Sequence, residues 1–311
     1  MPSANLVLVN DSSATLAASL TSAHYRGELV VDAELAQFTT WRIGGPAQLL
    51  ASPTDPADLL LALRWARDKG VAWRVLGNGS NLLVRDDGVR GLVLRPRRAL
   101  DTLQVDGSNV RAGAGASFPA LANLAASRGL SGLEFGAGIP GTVGGAVVMN
   151  AGWHEHELSG VVERVTFADR DGAISEVPAS ACAFGYRTSA FRGRPGIVLG
   201  CLLALTPDEP ASVRARLDEY ATQRRRGQPT ELASCGSVFV KPPGDFAGRL
   251  IEQAGLKGER RGGIQVSAKH ANFFVNLGGG TASDALALIE YVESEVEARL
   301  GVRLVREVEV W

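Results

Sequence analysis

Two glycine-rich stretches hold most of this chain's capacity for ligand chemistry. The first, Gly77-Asn78-Gly79-Ser80-Asn81, directly follows the apolar run 71–76. Its glycines let the backbone turn sharply and aim several N–H groups into one concavity, and the Asn and Ser side chains add donors and acceptors. Such a loop can hold a diphosphate without a lysine; an ordinary strand connection accounts for it equally well. The second stretch, Gly136-Ala137-Gly138-Ile139-Pro140-Gly141-Thr142-Val143-Gly144-Gly145-Ala146, contains a formal GxGxxG. It does not read as a Rossmann fingerprint, because Pro140 sits inside it, glycines occupy the expected first helical turn, and no clear strand leads in. No GxxxxGK[ST] occurs, which excludes a P-loop. What remains is a glycine wall, continued by Met149-Asn150-Ala151-Gly152, along which a cofactor can approach the backbone; a glycine-rich packing turn is the competing reading.

Other residue types suggest chemistry less strongly. Cys235 lies two residues before Ser237, but no His partner is evident for a nucleophile, and a packed thiol is expected. Cys182, Cys201 and Cys235 are odd in number and form no CxxC pair, which argues against a disulfide framework and a thiolate metal site. His154-Glu155-His156-Glu157 offers at most a partial metal site with no third ligand region, so no metal is expected. The run Arg224-Arg225-Arg226 is suited to an anionic group or to complementing a helix C-terminus.

The elements that must position these groups follow from caps and periodicity. Asp55, Pro56 and Asp58 open a helix that Gly70 ends, and Ser117 caps another that Gly129 closes. Residues 71–76, 91–95, 161–168 and 197–205 read as strands, and 104–112 as an extended run. A turn cluster at 206–210 opens a helix with Val213, Leu217 and Tyr220 on one face. Thr281 and Asp284 cap a last helix with an apolar stripe of Ala285, Leu288, Ile289, Val292 and Val296, stopped by Gly301. Residues 302–311 read as a terminal strand with Leu304, Val308 and Val310 on one face and Glu307 on the other. Residues 1–22 read as an extension of uncertain order.

With 311 residues the chain has room for two or three packed units, and its 32 basic against 33 acidic residues create no field that would attract nucleic acid or a membrane surface. There is no apolar run of membrane-spanning length and no secretory start, so a cytoplasmic monomer with neither nucleic-acid nor membrane partners is expected.

Taken in order, Thr40-Trp41-Arg42-Ile43-Gly44-Gly45-Pro46-Ala47, the 77–81 loop and the run 138–152 resemble the UDP-N-acetylenolpyruvoylglucosamine reductases, the MurB family of bacterial cell-wall synthesis. Tyr186-Arg187-Thr188-Ser189, Ser234-Cys235-Gly236-Ser237-Val238-Phe239, the segment 247–258 and the residues around Glu307 extend the match over most of the chain. The resemblance implies an α+β chain: a two-lobed FAD-binding unit of the vanillyl-alcohol-oxidase (PCMH) type plus a C-terminal α/β substrate domain. It divides the chain into an extension 1–22, lobes 23–96 and 97–207, and a substrate domain 208–311. The short step from Arg187 to Ser237 resembles the family's shorter variant, which lacks the tyrosine-bearing lid.

It further implies non-covalent FAD, since neither glycine stretch contains His or Cys, with NADPH as co-substrate. The reaction would reduce the enolpyruvyl ether of UDP-N-acetylglucosamine enolpyruvate to UDP-N-acetylmuramate in peptidoglycan precursor synthesis. Hydride adds to the vinyl carbon, Ser237 protonates the enolate-like intermediate, Arg187 supplies charge to the carboxylate, and Glu307 is the third active-site residue. The resemblance assigns Gly77, Asn78, Gly79, Ser80, Asn81, Gly138, Ile139, Gly141, Thr142, Gly144, Gly145 and Ala146 to the cofactor. Tyr186, Arg225, Lys241 and His270 fall to the substrate, with Arg224 and Arg226 alternatives for its diphosphate. This chain departs from the family in having Val240 before Lys241. Two competing functions remain: a flavin oxidase of the same fold, which would release peroxide, and a nucleotide-binding module, which would need no Arg187, Ser237 and Glu307.

Overall fold

The computed structural model describes residues 11–311, which fall into two compact units, each assembled from three stretches of chain. The first unit takes the described residues up to Ala33, Ala47–Gly77 and Arg90–Ala221; the second takes Glu34–Pro46, Asn78–Val89 and Thr222–Trp311.

In the first unit, helix α1 (Ser13–Ser22) is capped by Ser12, whose Oγ accepts from the Thr15 N–H. Leu16 and Leu20, one turn apart, bury completely enough to dock it. The sequence reads only as an extension here because two leucines make too faint a stripe; residues 1–10 of that extension lie outside the described residues. Helix α2 (Pro56–Asp68) begins where the Asp55 side chain accepts from the Asp58 N–H, and it buries Leu59, Ala62, Leu63 and Trp65. A four-stranded sheet runs in the order Glu28–Glu34, Pro46–Ser52, Val89–Leu94, Trp73–Val75, its last two strands parallel.

A five-stranded antiparallel sheet follows, ordered Ile174–Pro178, Val162–Asp169, Gly196–Ala204, Asn109–Gly113, Leu103–Asp106. The stretch 104–112, a single extended run by sequence, is a hairpin: Asp106 pairs with Asn109 across a two-residue Gly107-Ser108 turn. Helix α3 (Phe118–Ser127) and the short α4 (Val143–Met149) pack in the same core as Phe135, Phe167 and Leu203. Each such side chain, fully withdrawn from water, contributes about 1.5–3 kcal/mol of burial. Helix α5 (Pro210–Gly227) sends Val213 and Leu217 into that core, and the division between the units falls within it, after Ala221.

The second unit is built on an antiparallel sheet ordered Ala233–Ser237, Phe273–Asn276, Ile264–Val266, Arg260–Arg261. It carries helices α6 (Ala247–Gln253) and α7 (Ala282–Leu300). Thr281 and Asp284 form a reciprocal capping box on α7, Asp86 accepts from the Ala282 and Ser283 N–H groups, and Gly301 ends the helix in a left-handed turn. The core combines Phe239, Phe274, Leu288 and Val292 with Trp41, Ile43 and Leu83 from the two early segments.

The terminal strand is shorter than its alternation suggests. Only Glu309–Val310 pairs as a strand, parallel to Leu82–Leu83, with one further bridge between Arg306 and Phe239. The backbone changes partner along its length: the Glu307 N–H donates to the Val238 carbonyl, whereas the Glu309 N–H donates to that of Asn81. Leu304 and Val308 still bury as expected. No helix of the described residues is long and apolar enough to cross a membrane.

Candidate active site

In the first unit the glycine wall is a capped helix start. Thr142 is the N-cap of α4, its Oγ1 accepting from the Gly145 N–H, while the Val143 and Gly144 N–H groups donate to the Ala116 and Ala114 carbonyls at 2.9 Å. The Ile139 and Ala146 N–H groups are also answered, by Gly136 and Thr142. At these positions the wall offers a smooth contour rather than donors. Gly138 and Gly141 lie in the turn that leads into it, and Gly77 ends the apolar run of the first unit.

Beyond α4, Asn150 is fully buried in a left-handed conformation. Its Nδ2 donates to Glu157 Oε2 at 2.7 Å and to the Gly185 carbonyl at 3.1 Å, and its Oδ1 accepts from the Ser159 N–H at 2.9 Å. This amide joins the end of α4 to the turn that carries Tyr186 and Arg187. Gly185 and Thr188 exchange both backbone hydrogen bonds, and Arg187 sits inside that turn at φ +56°. For a non-glycine residue such a backbone costs about 1–2 kcal/mol. The guanidinium donates to the Gly152 carbonyl at 2.9 Å and lies 4.8 Å from the centroid of the exposed Tyr186 ring, so its direction is set by two neighbours.

The 154–157 segment serves packing. Glu157 is taken by Asn150, His156 stacks on Phe135 at 6.2 Å, and His154 leans on Trp153 at 4.4 Å. Among the described residues no group of three or more His, Cys, Asp or Glu is placed to hold a metal.

In the second unit the loop Asn78-Gly79-Ser80-Asn81 is held tightly. Gly79 has φ +59°, and a Cβ there would come within 2.8 Å of Thr39 Cα and 2.9 Å of the Phe38 carbonyl. Only glycine fits without moving backbone. Asn78 Oδ1 is buried with no hydrogen-bond partner among the described residues. Buried acceptors are ordinarily satisfied, so this one is open to a donor such as a ribityl hydroxyl or a ring N–H of a flavin dinucleotide. The loop therefore fits the group that its resemblance implies.

Ser237 ends the edge strand Ala233–Ser237, whose register against Val275 and Phe273 shifts between Ser234 and Ser237. Gly236, at φ +79°, is the bulge that allows this shift. Just past it, Asn272 accepts from the Val238 N–H through its carbonyl at 2.8 Å and from the Phe239 N–H through Oδ1 at 3.0 Å, and its Nδ2 returns a bond to the Phe239 carbonyl. The Glu307 N–H donates to the Val238 carbonyl at 2.8 Å, and Asn81 Nδ2 donates to the Glu307 carbonyl at 3.0 Å. Ser237, Glu307 and the 78–81 loop thus share one hydrogen-bonded frame.

Cys235 is buried within that frame. Burial pushes its thiol up strongly, with the Glu307 carboxylate adding to the effect, so it stays protonated and unreactive at neutral pH. Burial lowers His270, whose Nδ1 accepts from the Asn272 N–H and whose ring meets Phe273 edge-on, so a neutral imidazole is held there. Lys241 lies over the Phe246 ring at 4.5 Å. Arg224 is the buried member of the arginine run and reaches Gln228; Arg225 is exposed, donates to Thr222 and accepts from Lys269 Nζ on its carbonyl.

Asn272, Asp86 and Thr40 escape a reading of the sequence as structural ties. They bond to backbone far away along the chain, 33 residues from Asn272 to Phe239 and 194 from Thr40 to Ser234, and no local pattern carries that.

Residues 47–177 match the family model described as FAD binding domain. Together with the two sheets of the first unit this defines an FAD-binding unit in a flavin-dependent oxidoreductase, followed by a C-terminal α/β domain. Residues 228–311 match the model described as UDP-N-acetylenolpyruvoylglucosamine reductase, C-terminal domain. The chain is 50% identical over 282 residues to the UDP-N-acetylenolpyruvoylglucosamine reductase of Rubrobacter xylanophilus, covering 90% of this chain and 94% of that one. It is 48% identical over 277 residues to UDP-N-acetylenolpyruvoylglucosamine reductase 2 of Symbiobacterium thermophilum, covering 89% and 90%. The crystal structure of UDP-N-acetylenolpyruvylglucosamine reductase (MurB) from Thermus caldophilus superposes with a TM-score of 0.79 at 40% identity, covering 92% of this chain and 99% of that one. The chain belongs to the UDP-N-acetylenolpyruvoylglucosamine reductase family.

Proposed function

We propose that this protein reduces the enolpyruvyl ether of UDP-N-acetylglucosamine enolpyruvate to UDP-N-acetylmuramate with NADPH, a cytoplasmic step of peptidoglycan precursor synthesis. The observation that carries the reading is the frame in the second unit, in which Asn81 of the cofactor loop bonds to Glu307 and Glu307 bonds in turn to Val238, the residue beside Ser237. When bound, FAD supplies the hydride that adds to the vinyl carbon, having received it from NADPH.

The chain's own residues do the rest. In the second unit Asn78, Gly79 and Ser80 would hold the dinucleotide close to backbone, and in the first unit the wall of Gly138, Gly141, Gly144 and Gly145 has the smooth contour such a contact needs. The carboxylate beside the reacting carbon gains negative charge as the enolate-like species forms, and a guanidinium of fixed direction stabilises it more than a mobile one, which is the role of Arg187. Ser237 delivers a proton from Oγ to the adjacent carbon. A serine is a weak acid, so it acts on a strongly basic carbon and must be held close to it. Glu307 hydrogen-bonds the reacting region. The domain from about residue 208 binds the nucleotide, with Arg225, Lys241 and His270 as contacts, and Tyr186 of the first unit is a further candidate contact.

The test uses the FAD-loaded protein without oxygen. NADPH should bleach the flavin absorbance and the enolpyruvyl nucleotide should restore it. Ser237→Ala should leave bleaching intact and slow restoration by about 10³-fold. Equal rates of restoration in the two proteins would remove Ser237 from proton delivery, and rapid peroxide release in air with no response to the nucleotide would point to an oxidase instead.

A further inference from the structure

Thr40 is half-buried in the second unit and bonds to two separate backbones. Its N–H donates to the Gly79 carbonyl at 3.3 Å, and its hydroxyl donates to the Ser234 carbonyl at 2.7 Å, with the Gly79 carbonyl a longer second acceptor at 3.4 Å. Gly79 lies in the cofactor loop, and Ser234 lies three residues before Ser237 on the bulged edge strand. An edge strand is held by ladder bonds on one side only, and its register changes between Ser234 and Ser237. The ladder alone therefore fixes Ser237 poorly. Downstream of the bulge, Asn272 grips Val238 and Phe239. Upstream, beside the ladder pairs of Ala233 and Ser234, the Thr40 hydroxyl adds a tie from the strand to the rest of the unit.

From these bonds we infer that Thr40 is a positioning residue for proton transfer: its hydroxyl pins the strand that ends in Ser237 to the loop that holds the cofactor. The inference rests on the role proposed above for Ser237. Thr40 acts through Ser234 and touches no reacting atom. Its two functions are chemically separable, because the backbone N–H keeps its bond to Gly79 when the hydroxyl is removed, whereas Thr40 holds Ser234 through the side chain alone. Losing the hydroxyl should let the bulge drift while the loop stays in place. A displacement of about 1 Å at a proton donor is enough to slow transfer by about 100-fold.

Thr40→Val keeps the shape and the N–H and removes the hydroxyl; Thr40→Ser keeps the hydroxyl. Thr40→Val should bind FAD with wild-type affinity, read from the quenching of FAD fluorescence on titration into apoprotein, and NADPH should bleach it at the wild-type rate. Restoration of the flavin absorbance by the enolpyruvyl nucleotide should slow by about 10- to 100-fold. Amide hydrogen exchange across 233–239 should quicken. Thr40→Ser should return both the nucleotide-dependent rate and the exchange toward wild type. A Thr40→Val protein with wild-type restoration and wild-type exchange overturns the inference, as does one whose sole defect is loss of FAD affinity. Ser237→Ala tells the two failures apart. If it blocks restoration while Thr40→Val does not slow it, Thr40 alone loses its role; if Ser237→Ala changes nothing, the reading of the reaction falls and takes this inference with it.

Discussion

Glu134 keeps its charge although it is only 7% exposed, because each oxygen is answered. Oε1 accepts from Ser131 Oγ at 2.8 Å and from Arg216 at 2.9 and 3.0 Å, and Oε2 accepts from the Gly132 N–H at 2.7 Å. Burial alone would raise its carboxyl, but the bonds from Gly132, Ser131 and Arg216 outweigh it and hold the group below its ordinary 4.5. A carboxyl depressed in the folded state contributes stability that is complete above the unfolded value and is lost as pH falls through the folded one. Glu134→Gln should therefore cost about 2 kcal/mol at neutral pH, and the gap to wild type in thermal unfolding should narrow as pH drops below the carboxylate range. A gap that is equal at neutral and acid pH would contradict the ionised reading. At this scale the sequence is an incomplete guide. Arg187, Ser237 and Glu307 stand out by resemblance to a family, while Thr40 and Asn272 look like any polar residue until the backbones they bond are folded against them.

At the scale of elements, local chemistry set the helices. Asp55, Ser117 and Thr281 each accept from a first-turn N–H, as their positions in sequence suggest, because a cap acts over three residues and needs no distant partner. Strands depend on partners, so 104–112 folds back as a hairpin and 302–311 shares its bonds among several segments despite clean alternation. The cofactor loop lies between these cases: its glycines mark a special backbone, and the fold decides what presses on it. Gly79→Ala combines a left-handed backbone with a Cβ driven into Thr39 and Phe38. A strain of about 1–2 kcal/mol should weaken FAD binding by roughly 5- to 30-fold while the helical signal of the protein stays unchanged. Fluorescence titration of the apoprotein checks this, and wild-type affinity in the variant would show that the loop yields freely.

At the scale of the whole molecule, each unit has its own core, and the second draws Trp41, Ile43 and Leu83 from segments that lie far from 222–311 in sequence. Residues 222–311 expressed alone should consequently lack a cooperative thermal transition and expose the surfaces that these three side chains cover; a sharp transition and dispersed amide resonances in that fragment would refute the dependence. By itself, the sequence determined the capped helices α2, α3 and α7, the glycine stretches as candidate cradles, the near-even charge balance, and, through the order of its motifs, the family. Those are properties of near neighbours in the chain or of composition. Tertiary structure decided that the loop 78–81, Ser237 and Glu307 share one hydrogen-bonded frame, that Gly236 is a bulge in an edge strand, and that each unit interleaves three stretches of chain. These depend on which backbone carbonyls meet which side chains across separations such as 194 and 226 residues, and such pairings come from burying a common core, which no local pattern encodes.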